Sequence, residues 1–188
     1  AHDNHTLWDK LELTNPDASE EVRTDMHRLA SSILLTSQGT TFLHAGQEFM
    51  RTKDGDHNSY KSPDSINQLD WKRAAERKAD VQYMKGLIEM RKANPGLRMT
   101  KATDVKRFLK FYKSEANVIT YLIDEDAPGQ KNDLYITHNA NPNAVSVKLP
   151  KGTWNVIVDG DRAGTKTIKR TTGRVTVPAY HTFVLERN

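Results

Sequence analysis

His2-Asp3-Asn4-His5-Thr6 places a carboxylate, an amide, two imidazoles and a hydroxyl within five residues. Each such group costs free energy when buried without a partner, so a core does not call for this density. Leu7-Trp8-Asp9-Lys10-Leu11 follows as a turn running into ordered structure. A polar cluster at a strand end, then a loop and a helix, is how a parallel α/β barrel carries catalytic groups on its C-terminal rim. The competing reading is a ragged N-terminus with a chance His-Asp pair.

A second polar cluster begins at Gln47-Glu48 and runs into a loop over residues 49–71. That loop holds Arg51, Asp54-Gly55-Asp56, Asn58-Ser59-Tyr60, Ser62-Pro63-Asp64, Asn67-Gln68 and Asp70-Trp71. Loops this long inside a compact domain are usually functional. Mixed carboxylates, amides and rings suit sugars, whose hydroxyls need donors and acceptors and whose apolar faces stack on rings. Asp54-Gly55-Asp56 does not continue into the full calcium-loop pattern and reads as a turn. Glu48 is expected to hold the loop by hydrogen bonds, and Trp71 and Trp154 to be core anchors. A zinc site on His2 and His5 lacks a visible third ligand.

The elements that must position these clusters are legible from periodicity. Asn15 to Glu21 reads as a turn and helix start, with Asp17 or Ser19 as cap. Val22, Met26, Leu29, Ile33 and Leu34 share one helical face, and Gln38-Gly39 ends the helix. His27 lies beside that stripe and reads as a surface or packing histidine. Thr40 to Gly46 reads as a short buried parallel strand. The order is thus polar cluster, helix, strand, polar cluster, a crossover unit with both clusters at one end of a sheet. A second helix is expected over Ala79–Lys92, with Val81, Met84, Leu87 and Ile88 on one face and Asn94-Pro95-Gly96 as its stop.

The chain changes character after about residue 100. Short β-type runs follow: Phe108–Tyr112, Val118–Ile123, Leu134–His138, Val145–Leu149, Trp154–Val158, Thr165–Lys169, Val175–Val177 and Thr182–Leu185. Turn signals separate them, so about eight strands in an antiparallel β-sandwich are expected.

Composition narrows the class. The 188 residues are 36% hydrophobic and 28% charged, which fits a globular protein rather than a disordered one. Lys and Arg exceed Asp and Glu for a net charge of +4, but no basic block of five occurs, so no nucleic-acid partner is expected. No apolar run approaches the roughly 20 residues of a membrane helix, and no membrane partner is expected. The charged, histidine-containing start does not read as a signal peptide; a polar cluster at residue 2 reads instead as a start within a protein. With no cysteine there are no disulfides or thiolate metal sites, and the compartment stays open. A secreted bacterial setting is the expectation, with the cytoplasm as the alternative.

His2-Asp3-Asn4-His5-Thr6-Leu7-Trp8-Asp9-Lys10 resembles the fourth shared sequence region of the α-amylase superfamily, in the form found in type I pullulanases. Ser37-Gln38-Gly39, Phe42 to Glu48, Asn58-Ser59-Tyr60 and Ile66 to Trp71 continue the resemblance in order. Trp154 to Gly160 resembles the C-terminal sheet domain of the same enzymes. The resemblance implies the last βα units of a TIM-type (β/α)8 barrel over residues 1–100, from the strand 7 end to helix 8, and an antiparallel β-sandwich over 101–188. It implies a glycoside hydrolase acting with retention on α-1,6 linkages of pullulan and branched α-glucans. Retention needs a nucleophile and an acid about 5–5.5 Å apart. In the family both lie upstream of this segment, so the segment alone should be inactive. Residues 1–97 should not fold alone, whereas residues from about 105 to 188 should.

By the same resemblance, Asp3 is the catalytic residue present here, stabilising the oxocarbenium-like transition state. His2, Asn4, Asn58, Tyr60, Asp64, Asn67 and Gln68 are the expected substrate-binding residues; Gln68 stands where some relatives carry arginine. His5 is expected to order the loop behind Asp3. No cofactor or metal is expected in this segment, with calcium possible elsewhere in the complete enzyme. The implied partners are α-glucans (pullulan, amylopectin, maltosaccharides) and the N-terminal remainder of the enzyme. Alternatives are an isoamylase-like debranching or branching enzyme, or a non-catalytic carbohydrate-binding protein.

Overall fold

The computed structural model describes residues 4–187. Helices come first: α1 (Leu7–Thr14), α2 (Glu20–Thr36), α3 (Asp64–Asn67), α4 (Trp71–Glu76), α5 (Lys78–Ala93) and α6 (Ala102–Phe108). Six strands follow: β1 (Leu109–Tyr112), β2 (Val118–Ile123), β3 (Asp133–Asn139), β4 (Val145–Val158), β5 (Lys169–Val177) and β6 (Thr182–Arg187). No helix among the described residues is long and apolar enough to cross a membrane.

Local chemistry sets the helix ends. Thr6 Oγ1 accepts from the Asp9 N–H at 3.1 Å and starts α1. Ser19 Oγ accepts from the Val22 N–H at 3.2 Å, and Glu20 and Glu21 occupy the positive end of α2. The far end of α2 is held by Arg91 of α5. Its guanidinium donates to the carbonyls of Leu35, Ser37 and Gly39 at 2.9, 2.7 and 2.8 Å. Carbonyls that a helix leaves unpaired thereby receive charged donors from the neighbouring helix.

The buried face of α2 differs from the expected stripe. Leu29 is buried, but Val22, Met26, Ile33 and Leu34 are half-buried. Ser31, Ser32, Leu35 and Thr36 occupy the fully covered side. Small hydroxyl residues are accepted there because they find partners: Ser32 Oγ bonds the Arg28 carbonyl at 2.7 Å and the Tyr83 hydroxyl at 2.8 Å.

Residues 40–46 do not form the expected strand; they are irregular. A parallel strand exists only through neighbours that accept its N–H groups and donate to its carbonyls. Every strand pairing among the described residues is antiparallel and belongs to the one later sheet.

That sheet has the order β1-β2-β3-β6-β4-β5. Six strands replace the eight expected, for two reasons. Val145–Leu149 and Trp154–Val158 belong to one strand, β4, whose pairing with β5 shifts register between Lys148 and Thr153. The Thr165–Lys169 run is mostly a turn, and β5 begins only at Lys169. The bend in β4 lets its first half pair with β5 alone, whereas its second half also pairs with β6. The Tyr135 hydroxyl of β3 donates to the Lys148 carbonyl at 2.9 Å across the sheet's inner face. One continuous sheet thus folds over itself and encloses Val118, Tyr135, Leu149, Trp154, Val175 and Leu185.

The opposite face packs on the helices. Alternation along β2, β3 and β6 sends Tyr121, Ile123, Leu134, Ile136 and Val184 to that side, where they meet Leu35, Tyr83, Met84, Leu87, Met90 and Leu97. Both faces are therefore covered, and the helices and sheet share one core.

Among the described residues, two histidines are sealed in the interior. His138 of β3 bonds the hydroxyls of Thr182 at 2.8 Å and Thr36 at 3.2 Å. Burial pushes its imidazole down to about 3. His27 packs near the Trp8 ring, with centroids 6.4 Å apart, and its Nε2 has no partner among the described residues. Burial, then Arg77, Arg28 and Arg73, push it down to about 4. Below the ordinary value of 6.5 the unfolded chain binds protons that the folded chain refuses. Stability is therefore full above about pH 6.5 and falls as the pH drops toward these depressed values, by up to about 1.4 kcal/mol per pH unit for each ring. The urea midpoint at pH 7.5 should exceed that at pH 4.5, and His138→Gln should reduce the slope between them. An unchanged slope would show that His138 does not carry the effect.

Candidate functional site

Two segments converge where the chain start meets the 50–70 loop. The Asn4 N–H donates to the His57 carbonyl at 2.7 Å. The rings of His5 and His57 stack, 5.6 Å between centroids at 21°. Asn4 has φ +98°, a conformation that short polar side chains tolerate better than most. Its Oδ1 accepts from the His5 N–H at 2.9 Å, which holds that turn.

Asp9 fastens the base of the loop. Buried on α1, it accepts from the Lys53 N–H at 2.9 Å and from the Thr52 hydroxyl. Lys53 Nζ then reaches Ser59 Oγ at 2.5 Å. Trp8, one position earlier, is buried under the guanidinium groups of Arg73 and Arg77, at 5.5 and 5.3 Å from the ring centroid. Arg73 Nε also donates to the Met50 carbonyl at 2.8 Å. Further along, Asp56 accepts from the Asn58 N–H at 2.9 Å and from the Ser62 hydroxyl. Those bonds, the Ser62 hydroxyl foremost, hold its carboxyl below the usual carboxylate range. Asp54 (φ +52°) and Gly55 (φ +77°) make the turn expected there.

The expected site residues distribute as follows. His2 and Asp3 lie outside the described residues. Asn4, Asn58, Tyr60, Asp64 and Gln68 are exposed along this rim. Asn67 is half-buried, and its amide nitrogen donates to the carbonyls of Ser59 at 2.7 Å and Ser62 at 2.9 Å, so that donor serves the loop itself. His5 stands behind Asn4 as a loop-ordering residue, stacked as described.

Two readings are corrected. Trp71 is 71% exposed and leans on Phe49 at 6.4 Å between centroids, so it is no core anchor, whereas Trp154 is fully buried. Glu48 makes no side-chain hydrogen bond among the described residues. Gln47 takes that role by donating to Ser31 Oγ at 3.2 Å, together with Arg51, which donates to the Ala45 carbonyl at 3.2 Å and to the Asn67 carbonyl. Asp9, Lys53 and His57 were not singled out from the sequence. The three-residue spacing from Thr6 to Asp9, that of a helix cap, is the signal that could have found one of them.

The rim therefore offers exposed amides, a carboxylate and two aromatic rings, Tyr60 and Trp71, with 69% and 71% of their surface free. Asp9, Asp56 and Asp70 are committed to loop and cap bonds, which leaves Asp54 and Asp64 as exposed carboxylates of this loop. Groups of these types can hydrogen-bond hydroxyls and stack on apolar sugar faces.

Asp9→Ala should loosen the loop at its base. It leaves the Lys53 N–H and the Thr52 hydroxyl without their acceptor, at about 1–3 kcal/mol. Limited proteolysis should then cut within 50–62 faster than in the parent chain. Unchanged cleavage would mean that the loop holds without Asp9.

The sequence model described as "Pullulanase, all-beta domain" matches residues 105–162. The Bacillus subtilis (strain 168) protein named Pullulanase is 44% identical over 151 residues, covering 80% of this chain and 21% of that protein. Pullulanase from Bacillus acidopullulyticus superposes with a TM-score of 0.96 at 37% identity, over 99% of this chain and 23% of that one. The chain is similar to pullulanases along nearly its whole length. Pullulanase from Paenibacillus barengoltzii, solved with maltohexaose and α-cyclodextrin, is 45% identical with a TM-score of 0.88, over 98% of this chain and 28% of that one. The chain thus spans 21–28% of the length of these pullulanases.

Proposed function

We propose that this chain is the C-terminal segment of a starch-debranching pullulanase that hydrolyses α-1,6-glucosidic linkages with retention. Residues 1–100 would complete a (β/α)8 barrel and residues 101–188 would form the trailing β-sandwich domain. The irregular 40–46 stretch would become a barrel strand once neighbouring parallel strands supply its partners. The observation that carries this reading is the junction of Asn4 with His57, which brings the chain start and the exposed 58–68 rim to one surface. Asp3 would stabilise positive charge on the reacting sugar. His2, Asn4, Asn58, Tyr60, Asp64, Asn67 and Gln68 would bind the sugar units of pullulan, amylopectin or maltosaccharides. Asn67 would do so through its Oδ1, its nitrogen being engaged in the loop.

The nucleophile and acid would come from the N-terminal remainder of the enzyme. The test compares the 188-residue chain with the longer protein that carries it. The longer protein should release reducing sugar from pullulan and the chain alone should not. Hydrolysis by the chain alone, or a longer protein inactive on α-1,6 linkages, would overturn the proposal.

A further inference from the structure

Asp25, Asp161 and His181 come from three separate elements: α2, the β4–β5 connection and the β5–β6 connection. Their ligand-capable atoms all lie within 4.8 Å of one another. His181 has a fixed tautomer. Its Nδ1 faces the Ala179 carbonyl at 2.7 Å, which can only accept, so Nδ1 carries the proton. Its other nitrogen, Nε2, faces Asp161, 3.9 Å from Oδ1. A metal-binding histidine almost always has its other nitrogen tied in this way. Gly160 makes room for the ring: a Cβ there would sit 2.0 Å from His181 Cδ2.

The carboxylates are available. Arg28 is engaged principally by the buried Asp80, at 2.7 and 2.8 Å, and reaches only Oδ1 of Asp161, at 3.3 Å. Asp25 is half-buried, and among the described residues its carboxylate has no hydrogen bond or ion pair. Burial raises the Asp25 carboxyl, and Asp161 and Glu21 add to that against the opposing pull of His181 and Arg28. A divalent cation between the two carboxylates and Nε2 would relieve that cost.

We propose that Asp25, Asp161 and His181 form a zinc site that staples α2 to the two loops at the end of the sheet. One imidazole nitrogen and two carboxylate oxygens suit Zn²⁺, at about 2.0–2.2 Å each, with water as fourth ligand. Calcium takes oxygen ligands, six to eight of them, and does not suit this set. The site is structural and separate from the sugar-binding rim, so it holds whether or not the proposed function does.

The test uses the full 188-residue chain with Zn²⁺ alone, measured by calorimetric titration and thermal unfolding. One equivalent should bind, and at about 100 times Kd the unfolding midpoint should rise by roughly 5–10 °C. Ca²⁺ at the same concentration should give no rise. Asp161→Asn and His181→Gln should each weaken zinc by about tenfold or more. Asp161 is exposed, so its variant should fold even if His181→Gln does not. Co²⁺ in the unaltered chain should give the visible spectrum of a four- or five-coordinate site. No binding, binding unchanged in Asp161→Asn, or binding lost instead in His57→Gln would overturn the proposal.

Discussion

Asp3→Asn, made in the longer protein, is expected to lower kcat on pullulan by roughly 10²-fold or more, the scale of losing one preorganised electrostatic group. The substitution keeps volume and hydrogen-bonding capacity and removes only the charge. The glycosidic transition state carries positive charge that the bound substrate does not. An interaction made chiefly in the transition state falls on kcat when it is lost, with KM little changed. Asp64→Asn gives the contrast. Asp64 is exposed at the start of α3, where a carboxylate can meet sugar hydroxyls in the ground state, so its loss should chiefly raise KM. Steady-state kinetics of both variants on pullulan separate the roles. Near-normal kcat for Asp3→Asn together with a collapse for Asp64→Asn would reverse the assignment of the two carboxylates.

Leu87→Ala is expected to destabilise helices and sheet together by about 2–5 kcal/mol, the range for truncating a fully buried leucine. Leu87 has no exposed surface and belongs to the core shared with Tyr121, Ile123, Leu134 and Ile136 of the sheet. Contact there is close. At Gly86, beside it, a Cβ would lie 2.0 Å from the Ala163 carbonyl oxygen of the β4–β5 connection. Urea unfolding followed by far-ultraviolet circular dichroism, which reports the helices, and by fluorescence of the buried Trp154 should give one coincident transition shifted to lower urea. Separate transitions would mean that the two parts are held independently. The shared core also revises the expectation that residues from about 105 to 188 fold alone. Without α2 and α5 their inner side chains would face water, so that piece should bind hydrophobic dyes and aggregate.

Several features could be read from local sequence because their causes are local. Ser19 caps α2 through a hydroxyl three residues from its donor, and Asn94-Pro95 ends α5 because proline cannot continue a helix. Strand β2 falls at Val118–Ile123 as its alternation and β-branched residues indicated. The polar rim was legible as composition: a stretch crowded with amides, carboxylates and rings has few uses in a core. Tertiary structure decided what depends on partners distant in the chain. The 40–46 stretch has a strand's composition but, among the described residues, no neighbours to pair with. The two apolar runs of β4 became one bent strand because β5 and β6 both offered partners along it. His138 is indistinguishable in sequence from a surface histidine, and the hydroxyls of Thr36, Thr182 and Tyr121, brought from α2, β6 and β2, allow it to be buried. Asp9 reads only as part of a turn into ordered structure, yet its carboxylate holds Lys53, 44 positions away. Hydrophobic period and capping act over a few residues, whereas satisfying a buried polar group draws on whatever the fold brings near, and that second requirement placed the loop.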